Sequence, residues 1–173
     1  MISPWRRRRK VEGEHRIPDY SARFAVITCS STRRPENDES GKAIISAVTS
    51  AGHTVPVYMV VDDDIAEIQS AVRESLQKCD AVIITGGTGI TSRDVTPQAV
   101  SSIAEYEMTG FGHLFSQISF REIGPSAVMS RSTAYIVGRK PVFCLPGSPG
   151  GSLLGVKEII LRQIDHIIHE LRR

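Results

Sequence analysis

The feature that most restricts this chain is the alternation that begins at residue 24. Phe24-Ala25-Val26-Ile27-Thr28-Cys29 is a short, nearly continuous apolar run, as expected for a strand covered on both faces. Residues 42–51 follow at helical spacing, with Ala43, Ile44, Ala47 and Val48 on one face and Gly52 as a stop. Val55–Val61 reads as a second strand. Residues 63–78 read as a second helix through Ile65, Ile68, Ala71, Val72 and Leu76, and Ala81–Ile84 as a third strand. Strands alternating with helices of this length imply right-handed crossovers and a mainly parallel sheet in an α/β fold.

The rest of the chain extends the pattern. Pro97–Glu107 and Phe111–Ile123 read as helices. Tyr135–Val137 and Val142–Leu145 read as strands joined by a small β-hairpin at Gly138-Arg139-Lys140, and residues 152–172 as a long amphipathic closing helix. A length of 173 residues is most simply one domain. Residues 1–20 stand apart as a flexible basic arm, leaving 21–173 as the folded unit. Six basic and two acidic groups fall within residues 1–16, against 15 basic and 17 acidic in the remainder. Nothing around the arm resembles a nucleic-acid-binding module, so a solvated tail is the simpler reading of it.

Three cysteines, odd in number and without a CxxC pair, argue against a disulfide framework or a zinc ribbon. Cys29 and Cys144 lie in apolar runs and read as buried thiols. The arm is followed by no apolar stretch of a signal peptide, and no window is long and apolar enough to span a bilayer. A cytoplasmic location is the expectation.

Chemistry concentrates at the strand ends. Ser30-Ser31-Thr32 follows the first strand, Asp62-Asp63-Asp64 the second, Gly86-Gly87-Thr88-Gly89 through Asp94 the third, and Pro146-Gly147-Ser148-Pro149 the last. In a parallel sheet, ligands sit at the carboxyl ends of the strands, so these four segments should meet. Closely spaced glycines let backbone N–H groups approach an anion, although the spacing is neither a Walker A nor a dinucleotide fingerprint. Asp94 offers a hard oxygen ligand of the kind a phosphate-bound Mg²⁺ takes. Arg93 could pair with Asp94 or contact a phosphate. Of the three aspartates at 62–64, at least two would complement the dipole of the second helix, and one could face inward and share a cation with Asp94. The Pro146–Pro149 segment could bind an anion or simply turn into the closing helix. His166 and His169 read as a solvated helix edge, whereas His113 could line a substrate cleft.

These residues resemble a known family. Thr85-Gly86-Gly87-Thr88-Gly89 with Arg93-Asp94-Val95-Thr96-Pro97 is similar to the signature of the MoaB/Mog molybdenum-cofactor biosynthesis family, which includes the gephyrin G domain. The likeness spans residues 22–172 and extends to Asp38-Glu39-Ser40-Gly41, Gly110-Phe111-Gly112, Ser130-Arg131 and Leu145–Pro149. It implies a three-layer α/β/α fold, a homotrimer or homohexamer, and adenylylation of molybdopterin by ATP with Mg²⁺. The implied catalytic and metal-binding pair is Asp94 and, counting back from Ile68, Asp63. The implied phosphate-binding set is Ser30, Gly86, Gly87, Thr88, Gly89, Pro146, Gly147, Ser148 and Pro149. Some bacterial relatives replace the two aspartates and look inactive, whereas this chain keeps both. It departs at Ser31, where the family often has Asp. A non-catalytic molybdopterin carrier on the same fold is the alternative. A flavodoxin-like reading, with Thr28–Thr32 holding FMN phosphate, ranks last, because the single Trp5 lies in the arm.

Overall fold

A computed structural model describes residues 20–31 and 35–173. The basic arm and Thr32 of the first loop lie outside the described residues, apart from Tyr20.

Six strands form one sheet in the order β2-β1-β3-β6-β5-β4. These are β1 Arg23–Cys29, β2 Thr54–Val61, β3 Ala81–Thr85, β4 Tyr106–Glu107, β5 Thr133–Val137 and β6 Lys140–Leu145. β1 pairs in parallel with β2 and β3, and β3 in parallel with β6; β5 runs antiparallel to both β6 and β4. The helices are α1 Glu39–Ser50, α2 Ile65–Lys78, α3 Thr96–Ser101, α4 Thr109–Ile123, α5 Pro149–Gly155 and α6 Leu161–Arg172.

The layers follow from strand alternation. One side of the sheet turns Phe24, Val26, Ile83, Phe143 and Leu145 toward α1, α4 and the closing helix, burying Ile44, Phe115, Ile160 and Ile164. The other side turns Ala25, Ile27, Val82, Ile84 and Cys144 toward α2 and α3, burying Ile68, Val72 and Val100. β1 and β3 are apolar at nearly every position because both of their faces are covered. β2 is an edge strand, which lets it carry Pro56.

The elements match the sequence reading with informative exceptions. α1 starts three residues early, at Glu39, because the buried Asp38 carboxylate caps it by accepting from Gly41 N at 3.0 Å. The helix expected over Pro97–Glu107 stops at Ser101, and Tyr106–Glu107 forms β4 instead. The open edge of β5 captures this segment: Glu105 N donates to Ile136 O at 2.9 Å and Met108 N to Ala134 O at 2.8 Å. Two residues are too few to show a strand period, so tertiary pairing decided the outcome. The hairpin turn holds Gly138 and Arg139 at φ of 57° and 58°, the two positive angles of a tight two-residue turn. The closing helix begins at Pro149, earlier than expected, and includes a π-helical stretch at Val156–Ile160.

Cys29, Cys79 and Cys144 are all free and buried. Burial pushes the Cys29 thiol up to about 12 and the Cys144 thiol up as well. They are small hydrophobes rather than nucleophiles. No helix among the described residues is long and apolar enough to cross a membrane.

Candidate functional site at the carboxyl ends of the parallel strands

α1, which follows β1, and α3, which follows β3, lie on opposite faces of the sheet, so the connections leaving these two neighbouring strands diverge. That divergence opens a crevice between the ends of β1 and β3. A cavity of about 510 Å³ occupies it, within the range of roughly 300–1,000 Å³ usual for small-molecule sites. Ser30, Asp63, Gly86, Gly87, Thr88, Gly89, Asp94, Pro146, Gly147 and Ser148 all line this one cavity. Pro149 does not; it is the first residue of α5, and Gly151 reaches the cavity instead.

The glycine loop is fastened from below. Gly86 N donates to Leu145 O at 3.0 Å, Thr96 Oγ1 to Gly86 O at 2.9 Å, and Thr96 N to Gly87 O at 3.0 Å. Gly86 has φ of 104°, and a Cβ there would collide with the Cys29 carbonyl oxygen. No other residue type fits that crossing. A Cβ on Gly89 would stand 2.8 Å from an Asp94 carboxylate oxygen. The Pro146–Ser148 segment is tied from two sides: Thr85 Oγ1 donates to Pro146 O and Ser40 Oγ to Gly147 O, each at 2.7 Å. The walls are therefore set before any ligand arrives.

The three consecutive aspartates do different things. Asp64 caps α2, accepting from Ala66 N at 2.9 Å and Glu67 N at 3.0 Å. Asp62 is exposed, and its backbone N–H donates to the Glu67 carboxylate at 3.1 Å. Asp63 turns the other way into the cavity, where Ser31 N and Ser31 Oγ each donate to its Oδ2 at 3.0 Å. Ser31, the position at which this chain departs from the family pattern, thus supplies two donors to a site carboxylate.

Asp94 is held by Thr91, whose N donates to its Oδ2 at 2.9 Å and whose Oγ1 does so at 2.6 Å. Burial alone would raise its pKa. The Thr91 and Gly89 hydrogen bonds and the nearby Arg131 charge outweigh burial and hold it below the usual carboxylate value. Arg93 is exposed and forms no ion pair with Asp94. The arginine that matters locally is Arg131. Its Nε donates to Gly89 O at 2.7 Å and its Nη2 to Asp94 O, clasping the two ends of the loop.

Neither Asp63 nor Asp94 has a salt-bridge partner among the described residues. No third His, Cys, Asp or Glu joins them in a metal-binding group among those residues. A donor set of two carboxylates suits Mg²⁺, which takes one or two from the protein and the rest from water and phosphate oxygens.

Residues 25–166 match the sequence profile of a family described as a probable molybdopterin binding domain, MoCF_biosynth. The chain belongs to this family, the MoaB/Mog proteins of molybdenum cofactor biosynthesis. The chain is 45% identical over 154 residues to molybdenum cofactor biosynthesis protein B of Bacillus anthracis, covering 87% of this chain and 91% of that protein. It is similar to the crystal structure of a molybdenum cofactor biosynthesis protein B at 44% identity and a TM-score of 0.86, covering 89% and 98% of the two chains. It is also similar to the tungsten cofactor synthesizing protein MoaB from Pyrococcus furiosus, at 34% identity and a TM-score of 0.80 over 88% and 98%. Membership in the MoaB/Mog family leaves the flavodoxin-like reading without support.

One wall of the MoaB/Mog cavity escaped the sequence reading. Ser119 and Ile123 of α4, with Ser126 and Met129 of the 3-10 helix Gly124–Met129, face the glycine loop across the cavity. They belong to no strand end and no spaced motif, so only the packing of α4 against the sheet brings them there. His113 is exposed on the same helix and does not line the cavity. His166 and His169 are exposed on α6, as expected.

Proposed function

We propose that this protein catalyses Mg²⁺-dependent adenylylation of molybdopterin by ATP. The observation that carries the reading is the pair Asp63 and Asp94 in one glycine-walled cavity, each held by neutral donors and neither in a salt bridge among the described residues. In the reaction, a terminal phosphate oxygen of molybdopterin bonds to the α-phosphorus of ATP. The bond from that phosphorus to the bridging oxygen of the β-phosphate breaks, and pyrophosphate leaves.

Asp63 and Asp94 would hold Mg²⁺, which supplies charge neutralisation at the reacting phosphates. Ser31 and Thr91 fix the two carboxylates, so little reorganisation is needed when the substrates bind. The fastened glycine loop offers backbone N–H groups to phosphate oxygens without side-chain obstruction. Arg131 keeps that loop in place and adds positive potential beside it. The Cys29 thiol, although it lines the cavity, stays protonated and takes no nucleophilic part. A trimer or hexamer in the cytoplasm belongs to the same proposal. The exposed side chains of Leu114, Phe120 and Val128 supply apolar surface of the kind subunit contacts bury.

The test is pyrophosphate release by purified protein from ATP and Mg²⁺, with and without molybdopterin. Pterin-dependent release is expected. Tight molybdopterin binding without release would replace the enzyme by a carrier, the reading nearest to the words that describe the family.

A further inference from the structure

Two segments of the cavity wall are fastened to the first turn of α1. Asp38, which caps this helix, is 0% exposed and does not line the cavity. Its Oδ1 accepts from Gly41 N at 3.0 Å. Its Oδ2 accepts from hydroxyls on two neighbouring strands, Thr28 Oγ1 of β1 at 2.5 Å and Tyr58 Oη of β2 at 2.8 Å. Both hydroxyls can reach it because Thr28 shares the α1 face of the sheet with Phe24 and Val26, and Tyr58 packs on that same face. A Cβ on Gly41 would collide with Asp38 Oδ2 and stand 2.9 Å from the Tyr58 ring, so the three groups close on one another. From this turn, Ser40 Oγ donates to Gly147 O at 2.7 Å, and Lys42 Nζ donates to Glu36 O in the loop that begins with Ser30 and Ser31.

A fully enclosed carboxylate is unfavourable unless its oxygens are hydrogen-bonded, so Asp38 stays where its donors hold it. Burial first, then the Asp38 hydrogen bond and charge, push the Tyr58 hydroxyl above its ordinary value, and it remains a donor. We propose that Tyr58 is a positioning residue for the cavity: its hydroxyl fixes Asp38, Asp38 fixes the first turn of α1, and Ser40 on that turn sets Gly147 in the wall. Tyr58 touches no substrate, since it lies on the edge strand and outside the cavity. The inference rests on the function proposed above, which gives the 146–148 wall to phosphate. It goes further by assigning a role to a residue outside the sequence motifs.

The experiment measures binding of molybdopterin and of ATP with Mg²⁺, each alone, by calorimetry, to the full chain, Tyr58→Phe, Ser40→Ala and the double variant. Tyr58→Phe keeps the ring and removes only the hydroxyl. It should weaken at least one ligand by about fivefold, the scale on which residues remote from a ligand act through a contact network. Ser40→Ala should weaken the same ligand by a similar factor. The double variant should bind no more weakly than Ser40→Ala alone, because both changes break one chain of contacts. Thr28→Val, which strips the other hydroxyl from Asp38 Oδ2, should act as Tyr58→Phe does. A merely structural tyrosine would lower the melting midpoint and leave affinity per folded molecule unchanged. Unchanged affinity for both ligands in Tyr58→Phe and Thr28→Val, or multiplied effects in the double variant, overturns the positioning role and leaves the proposed function standing. Failure of the unmodified protein to bind either ligand removes both.

Discussion

Two ends of the same β-strand treat a carboxylate in opposite ways. Asp80 sits immediately before β3 and is 5% exposed. Arg23 and Arg172 each pair with it at 3.2 Å, and Tyr20 donates to it at 3.0 Å. Around it, Lys140 Nζ donates to the last carbonyls of the α2 turn at Leu76 and Cys79, and Arg139 donates to Leu171 O. A cleft of about 300 Å³ opens here too, but its charged groups are already engaged, Asp80 with arginines and Arg139 and Lys140 with backbone carbonyls. Beyond the other end of β3, Asp94 and Asp63 are held, among the described residues, by hydroxyls and backbone N–H groups. Neutral donors orient a carboxylate without cancelling its charge. A guanidinium does both. One end of the sheet is thereby organised for stability, and the other leaves carboxylates open for the cation of the proposed function.

The largest effect expected on this contrast comes from Asp94→Ala. Pterin-dependent pyrophosphate release should fall by about 10³-fold, on the scale of losing a preorganised charge-stabilising group, while circular dichroism and the melting midpoint change little. Turnover close to that of the unmodified protein would remove Asp94 from the proposed reaction. Ser31→Ala removes the hydroxyl donor to Asp63. Turnover should drop by about tenfold, and added Mg²⁺ should restore part of the loss. An unaffected rate would mean that Ser31 does not set the Asp63 carboxylate.

At the other end the effects should appear in stability. Asp80→Ala leaves two guanidinium groups and a tyrosine without their shared partner, at a cost of about 2 kcal/mol, reduced from fully buried cases because the arginines are half exposed. That corresponds to a melting shift of roughly 4–8 °C for a chain of this size, with the rate per folded molecule unchanged. A large loss of turnover would show that the two ends are coupled.

The smallest effect is on acid stability. Burial alone would raise the Asp80 pKa, but the Arg23 and Tyr20 hydrogen bonds and the Arg23 charge bring it below the usual carboxylate value. A pKa lowered by folding contributes stability above the unfolded value, and that stability is lost as pH falls through the folded value. Denaturant titrations should therefore show the advantage of the unmodified protein over Asp80→Asn shrinking below about pH 4. A constant difference down to pH 2 would contradict the assignment.

Much of this molecule can be read from residue order because the relevant signals are local. A parallel sheet needs strands covered on both faces, and Phe24–Cys29 and Ala81–Ile84 announce that by having almost no polar positions. Strand direction then places every loop after such a strand at one edge. This is why residues 30–32, 62–64, 86–94 and 146–149 group at one edge from residue order alone, although Pro149 stands outside the cavity. The glycines, too, are legible, since the crossing of Gly86 over Cys29 tolerates nothing else.

Other features depended on contacts between distant segments. Tyr106–Glu107 follows the exposed edge of β5 rather than its own helical neighbours. Asp63 alone among three aspartates meets Ser31, because Asp64 is taken up in capping α2. Arg131, 37 positions from Asp94, clasps the loop that Arg93 adjoins in sequence. Ser119 has no signal at all in the chain: a serine on a helix is ordinary until the helix packs and brings it into the cavity wall. The order of residues determined the sheet, its direction and the edge at which chemistry gathers, since backbone pairing and apolar burial repeat with a period. Tertiary structure decided which side chains face one another there, because hydrogen-bond geometry between remote segments leaves no period to read.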